Sequence, residues 1–147
     1  MKKLILPFLA IVAFGSNASS VEQDGCFTKL KQVMKPEYPA ARISGYAIVN
    51  FDIKTDGGVK NIRSHKSMCL RHNRKKDTYA FSSCGVFISK AIAASRYIKF
   101  KPPVDNNGNA CSIQNNKHLY RFVTKKDNKI EKVKDAFVAE LDNKQDN

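Results

Sequence analysis

The residues of this 147-residue chain best equipped for chemistry are four cysteines, Cys26, Cys69, Cys84 and Cys111, and three histidines, His65, His72 and His118. An even cysteine count in an exported chain reads as disulfides, and four cysteines allow three pairings that spacing does not choose between. A zinc site would have to draw on His65, Cys69, His72 and Cys84, whose separations fit no standard finger. A nucleophile at Cys84 would need a helix N-terminus to hold its thiolate, and a disulfide would consume it. No carboxylate stands at a readable spacing from any histidine, and a triad is not recognised from sequence position. The expected role of these residues is structural, with no catalytic residue, no metal and no cofactor.

Disulfides require an oxidising compartment, and the N-terminus supplies the route to one. Lys2 and Lys3 precede an apolar run from Leu4 to Phe14, and Ser16, Asn17 and Ala18 follow with small side chains at the outer positions. This order is that of a secretory signal peptide, residues 1–18, with the mature chain starting near Ser19 in the periplasm. The alternative is an uncleaved anchor in the inner membrane, although the run falls short of the ~20 apolar residues a span needs. All four cysteines follow the cleavage point, and the remainder has the length of one domain.

The formal net charge is +13, of which Lys2 and Lys3 supply two units. Such a surface favours anionic partners. The cluster Arg71, Arg74, Lys75 and Lys76 is the candidate patch for an anionic surface or acidic protein. Nucleic acid is not expected as a partner, since aromatic residues are not interleaved with these charges.

Several elements are needed to position these groups. Phe27, Leu30, Val33 and Met34 have helical spacing and predict a helix over 21–35, stopped by Pro36. Residues 45–54 alternate, with Ala47, Val49, Phe51 and Ile53 on one side, and predict a half-buried strand. Asp56-Gly57-Gly58 predicts a hairpin turn. The returning strand, 59–66, has a bulge, because Val59 and Ile62 do not share a parity. Residues 67–80 read as an irregular basic loop. A helix capped by Ser82 or Ser83 follows to about Arg96, with Phe87, Ile88, Ala91, Ile92, Ala94 and Ser95 as its stripe. A third strand is expected over 111–125, with Tyr120 and Phe122 on one face and Leu119 and Val123 on the other. A last helix over 128–141 carries Ile130, Val133, Phe137 and Leu141 and is capped by Asp127 or Asn128.

The order and spacing of these pieces resemble the C-terminal domain of TonB. The residues that carry the resemblance are Tyr38-Pro39-Ala40-Ala41, the strand from Gly45 to Ile53, the turn at Gly57 and Val59-Lys60-Asn61-Ile62. They end on the helix exit Phe100-Lys101-Pro102-Pro103. The resemblance covers about Pro36 to Phe122 and implies an α+β fold: a β-hairpin, a helix and a third strand (ββαβ), here with an added N-terminal and C-terminal helix. Residues 19–126 would form the domain and 127–147 the last helix and a polar tail. It further implies a binding module that pairs with an extended segment of an outer-membrane receptor or another envelope protein, in TonB-dependent transport, by adding it to a sheet edge. The edge would be the third strand, Lys117, His118, Leu119, Tyr120, Arg121, Phe122 and Val123.

Full TonB proteins have an uncleaved anchor and a long Pro-rich spacer, neither of which is evident here. A second reading is therefore an accessory envelope protein whose sheet edge is covered by the last helix and which transduces no energy. Exchange of strands into a homodimer is compatible with both. With the elements placed in this way, a Cys69–Cys84 bridge would close the basic loop and Cys26 would pair with Cys111.

Overall fold

The computed structural model describes residues 19–142, so the expected signal sequence and the last five residues of the tail lie outside the described residues. The architecture is α+β: two sheets of four strands each, all antiparallel, and two α-helices. The larger sheet curls into a half-barrel.

That sheet is ordered β5-β4-β3-β8, built from β3 (Gly45–Ile53), β4 (Val59–Asn73), β5 (Thr78–Ser83) and β8 (Ile113–Phe122). The small sheet centres on β2 (Cys26–Gln32), which pairs with β1 (Ser20–Gln23), β6 (Lys99–Phe100) and β7 (Val104–Asp105). Helix α1 (Ile88–Ser95) lies on one face of the larger sheet, and α2 (Glu131–Asp142), entered through a 3-10 turn at Asp127–Lys129, lies on the other. The expected succession of strand, strand, helix and strand is present as β3, β4, α1 and β8, with β5 interposed before the helix and β6 and β7 after it.

Alternation along β3 sorts its side chains between two cores. Ala47, Val49, Phe51 and Ile53 join Phe87, Ala91, Ile98, Phe100, Tyr120 and Phe122 beneath α1. Tyr46 and Ile48 point to the opposite face and meet Val133 and Phe137 of α2. The same parity puts Leu119 and Val123 with α2, as the sequence predicts.

Three expectations need correction. The N-terminal helix over 21–35 is instead the β1–β2 hairpin. Asp24 (φ 50°) and Gly25 (φ 76°) take the positive φ angles of a two-residue turn, and the Asp-Gly signal for it is present in the sequence. Cys26 and Thr28 face inward with strand period, whereas Val33 and Met34 of the supposed helical stripe are exposed. The irregular basic loop is instead the far half of a 15-residue β4 and its hairpin with β5. Asn73 turns the chain there, its Oδ1 accepting the amides of Lys75 (3.1 Å) and Lys76 (3.3 Å). Finally, Ser82 and Ser83 belong to β5 and cap nothing, and α1 starts after Phe87 without a side-chain cap. The predicted bulge in β4 is present, at Asn61, which has φ 53°.

Two disulfides fasten the α1 side. Cys26–Cys111 ties the small sheet to the approach to β8, and Cys69–Cys84 ties β4 to the segment entering α1. Among the described residues no helix is long and apolar enough to cross a membrane.

Candidate functional site: the outer edge of the last strand

Strand β8 pairs on one side only, with β3, from Gly45 opposite Phe122 to Ile53 opposite Ile113. An edge strand presents unpaired backbone donors and acceptors on its other side. The start of this edge is closed by a side chain. At the start, Gln23 Nε2 donates to the Gln114 carbonyl (2.8 Å), and the Gln114 amide donates to Gln23 Oε1 (2.7 Å). This reciprocal pair imitates one rung of a ladder. Past the other end of β8, on the side already taken by β3, the Thr124 amide donates to Ser44 Oγ (3.0 Å), whose hydroxyl donates to Asp127 (2.5 Å).

Of the seven residues expected at this edge, Lys117 and Arg121 are exposed. Tyr120 and Phe122 are buried under α1, and Leu119 and Val123 pack toward α2. His118 is half-buried with its ring edge-on to Tyr120 at 4.6 Å, and burial holds its imidazole below the ordinary histidine range. Burial likewise pushes the Tyr120 hydroxyl up, partly countered by the hydroxyl of Ser95 at 3.4 Å. What the edge offers a partner is therefore main chain flanked by two cations.

The motif residues shape the surroundings. Tyr38 donates to the Ile43 carbonyl (2.8 Å) and sets its ring edge-on to Phe122 at 5.9 Å, and Pro39 is buried beside it. An open hollow of ≈ 750 Å³ lies past the end of β8, lined by Lys35, Tyr38, Arg42, Thr124, Lys125 and Lys126 among others. A Cβ at Gly45 would stand 2.1 Å from the Met68 carbonyl and 2.3 Å from the Phe87 ring, so only glycine lets the sheet approach α1 there. Gly57 has φ 85°, and its carbonyl accepts the Phe100 amide at 2.8 Å, which brings the turn and the helix exit together. Pro102 is exposed, and its neighbour Pro103 is the one buried.

The disulfide candidates pair as Cys26–Cys111 and Cys69–Cys84. The bridge between Cys69 and Cys84 leaves neither sulfur as a thiolate ligand or nucleophile, and among the described residues no His, Cys, Asp and Glu side chains gather as a metal site. Arg71, Arg74, Lys75 and Lys76 are exposed at the β4–β5 hairpin, far from the β8 edge. His72 stacks on Tyr79 at 4.4 Å and contacts Asp77 at 3.0 Å.

Sequence reasoning missed Gln23 and the residues around Asp52. Asp52 accepts Asn61 Nδ2 (2.8 Å) and the Asn115 amide (2.9 Å), while Arg63 donates to the Asn61 carbonyl (3.1 Å) and to Asn115 Oδ1. Asn61 and Asn115 both have positive φ, and each sits at a register shift against β3. Asp52 thus pins irregularities in both of β3's neighbours, and these hydrogen bonds hold its carboxyl below the usual range. The available signal was a pair of asparagines, the residues that best tolerate positive φ, inside predicted strands.

Fold and site together define a disulfide-bridged α+β domain in which β8 forms one open edge of the larger sheet. No protein-family model matches the chain, and no curated protein matches it significantly.

Proposed function

We propose that this chain is a TonB-like binding module of the bacterial envelope, which takes up an extended segment of an outer-membrane transporter or another envelope protein along β8. The observation that carries the reading is the open edge: β8 has a partner on one side only, and Gln23 closes the start of its free side. In this mode main-chain hydrogen bonds supply affinity and flanking side chains supply selectivity. Lys117 and Arg121 favour a segment that carries carboxylates. The succession β3, β4, α1, β8 and the meeting of Gly57 with Phe100 support the TonB-like assignment. Two disulfides fit the periplasm. The position of α2 favours an open edge over a covered one, since the helix lies on the sheet face with β5 as its nearest strand, and β5 is the edge opposite β8.

A photo-reactive residue placed at Arg121 in living cells tests this. The expected adduct maps to an extended segment of an outer-membrane protein, and the same probe at Ala80 on β5 gives none. Capture from Ala80 and not from Arg121 would move the binding edge to the other side of the sheet.

A further inference from the structure

We propose that the sheet face beside α2 carries a second site, for a phosphate-class oxyanion, built on Asn50 between Arg63 and Lys117. The register sets this row. Asn50 of β3 stands opposite Arg63 of β4 on one side and Lys117 of β8 on the other. Neighbouring strands lie about 4.8 Å apart, so the two cations flank Asn50 with roughly 10 Å between their backbones. Residues directly opposite one another share a face. The face is therefore that of Tyr46 and Ile48, beyond the part that α2 covers.

Three further observations converge on the spot. Lys60 stands opposite Asp52 in the next row. The extra residue between Ser64 and Lys66 is His65, and a bulge of this kind re-aims a side chain. Its imidazole is held below the ordinary range by partial burial and by Lys117 and Lys66, so it lies close to both cations. Asp52 is the carboxylate nearest this row, and it is engaged by Asn61 and Asn115. Among the described residues Lys117 has no carboxylate partner, whereas Arg63 and Lys60 stand close enough to Asp52 to help hold its carboxyl low, and the hydrogen bonds of Arg63 go to neutral oxygens.

The floor of the row is itself unsatisfied. Asn50 Oδ1 is buried with no hydrogen-bond partner. A buried amide end without a partner costs about 1–3 kcal/mol, which a ligand or bound water can recover. A side-chain amide carries a donor and an acceptor, and turning it over exchanges them. Turned outward by a change of rotamer, it can donate to an anion held by Arg63 and Lys117, or accept from a hydroxyl next to one. A guanidinium with donors to spare, a point-charge ammonium and an amide floor suit a tetrahedral phosphate better than a planar carboxylate. The source is either a free phosphate or the phosphate of a lipid headgroup. This site uses side chains on a sheet face and does not depend on β8 receiving a strand along its edge.

The test uses the disulfide-bonded domain, with nuclear magnetic resonance titration against inorganic phosphate and co-sedimentation with phosphatidylcholine vesicles containing or lacking phosphatidylglycerol. Saturable movement of the Asn50 side-chain amide with inorganic phosphate supports a free-anion site. Vesicle binding that requires phosphatidylglycerol, is lost in Lys117→Gln and is unchanged by Lys75→Gln/Lys76→Gln supports a headgroup site. In either case Lys117→Gln weakens binding roughly tenfold or more, the loss of one charge-assisted hydrogen bond. The hairpin variant removes more charge at a distant place and serves as the control. Binding weakened equally by both variants reflects general electrostatics and overturns the proposal, as does an absence of binding in both assays.

Discussion

The two faces of the larger sheet are built from one alternating strand but closed in different ways. On the α1 face, two disulfides and a large apolar cluster fix strands from both sheets against the helix. On the α2 face three residues are fully enclosed, Tyr46, Val133 and Phe137, and the rest are half-buried. No disulfide crosses that second interface. Its polar ties are the Tyr46 hydroxyl donating to Glu140 (2.5 Å), Ser44 donating to Asp127, and Lys132 donating to Asp77. Burial of apolar area stabilises both faces, but the first is also restrained in the unfolded chain. The contrast teaches that one domain can hold a rigid half and a half that opens locally at lower cost.

Removing a covalent restraint is the strongest way to break the contrast. Replacing Cys26 and Cys111 together releases a loop spanning 85 residues and should cost about 4–5 kcal/mol. Replacing Cys69 and Cys84, separated by 15, should cost about 3 kcal/mol. Urea unfolding followed at both faces checks this, and a loss confined to α2 would contradict it. Next in size, Phe137→Ala should cost about 3 kcal/mol, the low end for a buried phenylalanine because the site can collapse. Amide exchange should quicken in α2 and β5 while the centre of β3 stays protected. Equal quickening in β3 would mean that the faces do not open separately.

Smaller again, Tyr46→Phe removes one hydrogen bond and should cost about 1 kcal/mol, visible as a lowered urea midpoint with an unchanged slope. The smallest effect concerns acid. The folded-state pKa of His118 is lowered by burial, so the unfolded chain takes up the proton first. Stability is full above the ordinary histidine range, near 6.5, and falls as pH drops from there toward the depressed value. Asp77, which ties the β4–β5 hairpin to α2 through Lys132, has its pKa lowered by that lysine and by His72. Its contribution is present above about 3.8 and is lost only at lower pH. The α1 face should therefore soften before the Asp77 tie does, and His118→Gln should reduce the fall in melting temperature between pH 7.5 and 5, with His65 supplying the remainder. Exchange that rises first in α2 over that range would reverse the order.

Much of this was legible in the residues. The alternation of β3, the Gly57 turn, the stripe of α1 and that of α2 each follow from period and turn chemistry. The first hairpin was not, because Phe27, Leu30, Val33 and Met34 mimic a helical stripe and outweighed Asp24-Gly25. Half of β4 and all of β5 were hidden by charge: the alternation of Met68 with Leu70 and of Tyr79 with Phe81, which pack under α2, is short and masked by the basic run between them. Of the candidate site, the location of the edge was readable and the residue that closes its start was not. Gln23 closes β8 from 91 residues away, and no local pattern encodes a contact between segments so far apart.

The Cys26–Cys111 bridge also determines how a mechanical load would travel. A pull separating Ser19 from Phe122 runs along β1 to Cys26, crosses the sulfurs to Cys111 and leaves through β8. The stretch between the bridged cysteines, 85 positions apart and about 300 Å of contour if drawn out, is shunted and carries no tension. Its hairpins and α1 stay slack under a load that would otherwise unravel them, so the chain behaves toward its ends as a short tether with a folded body hung beside it.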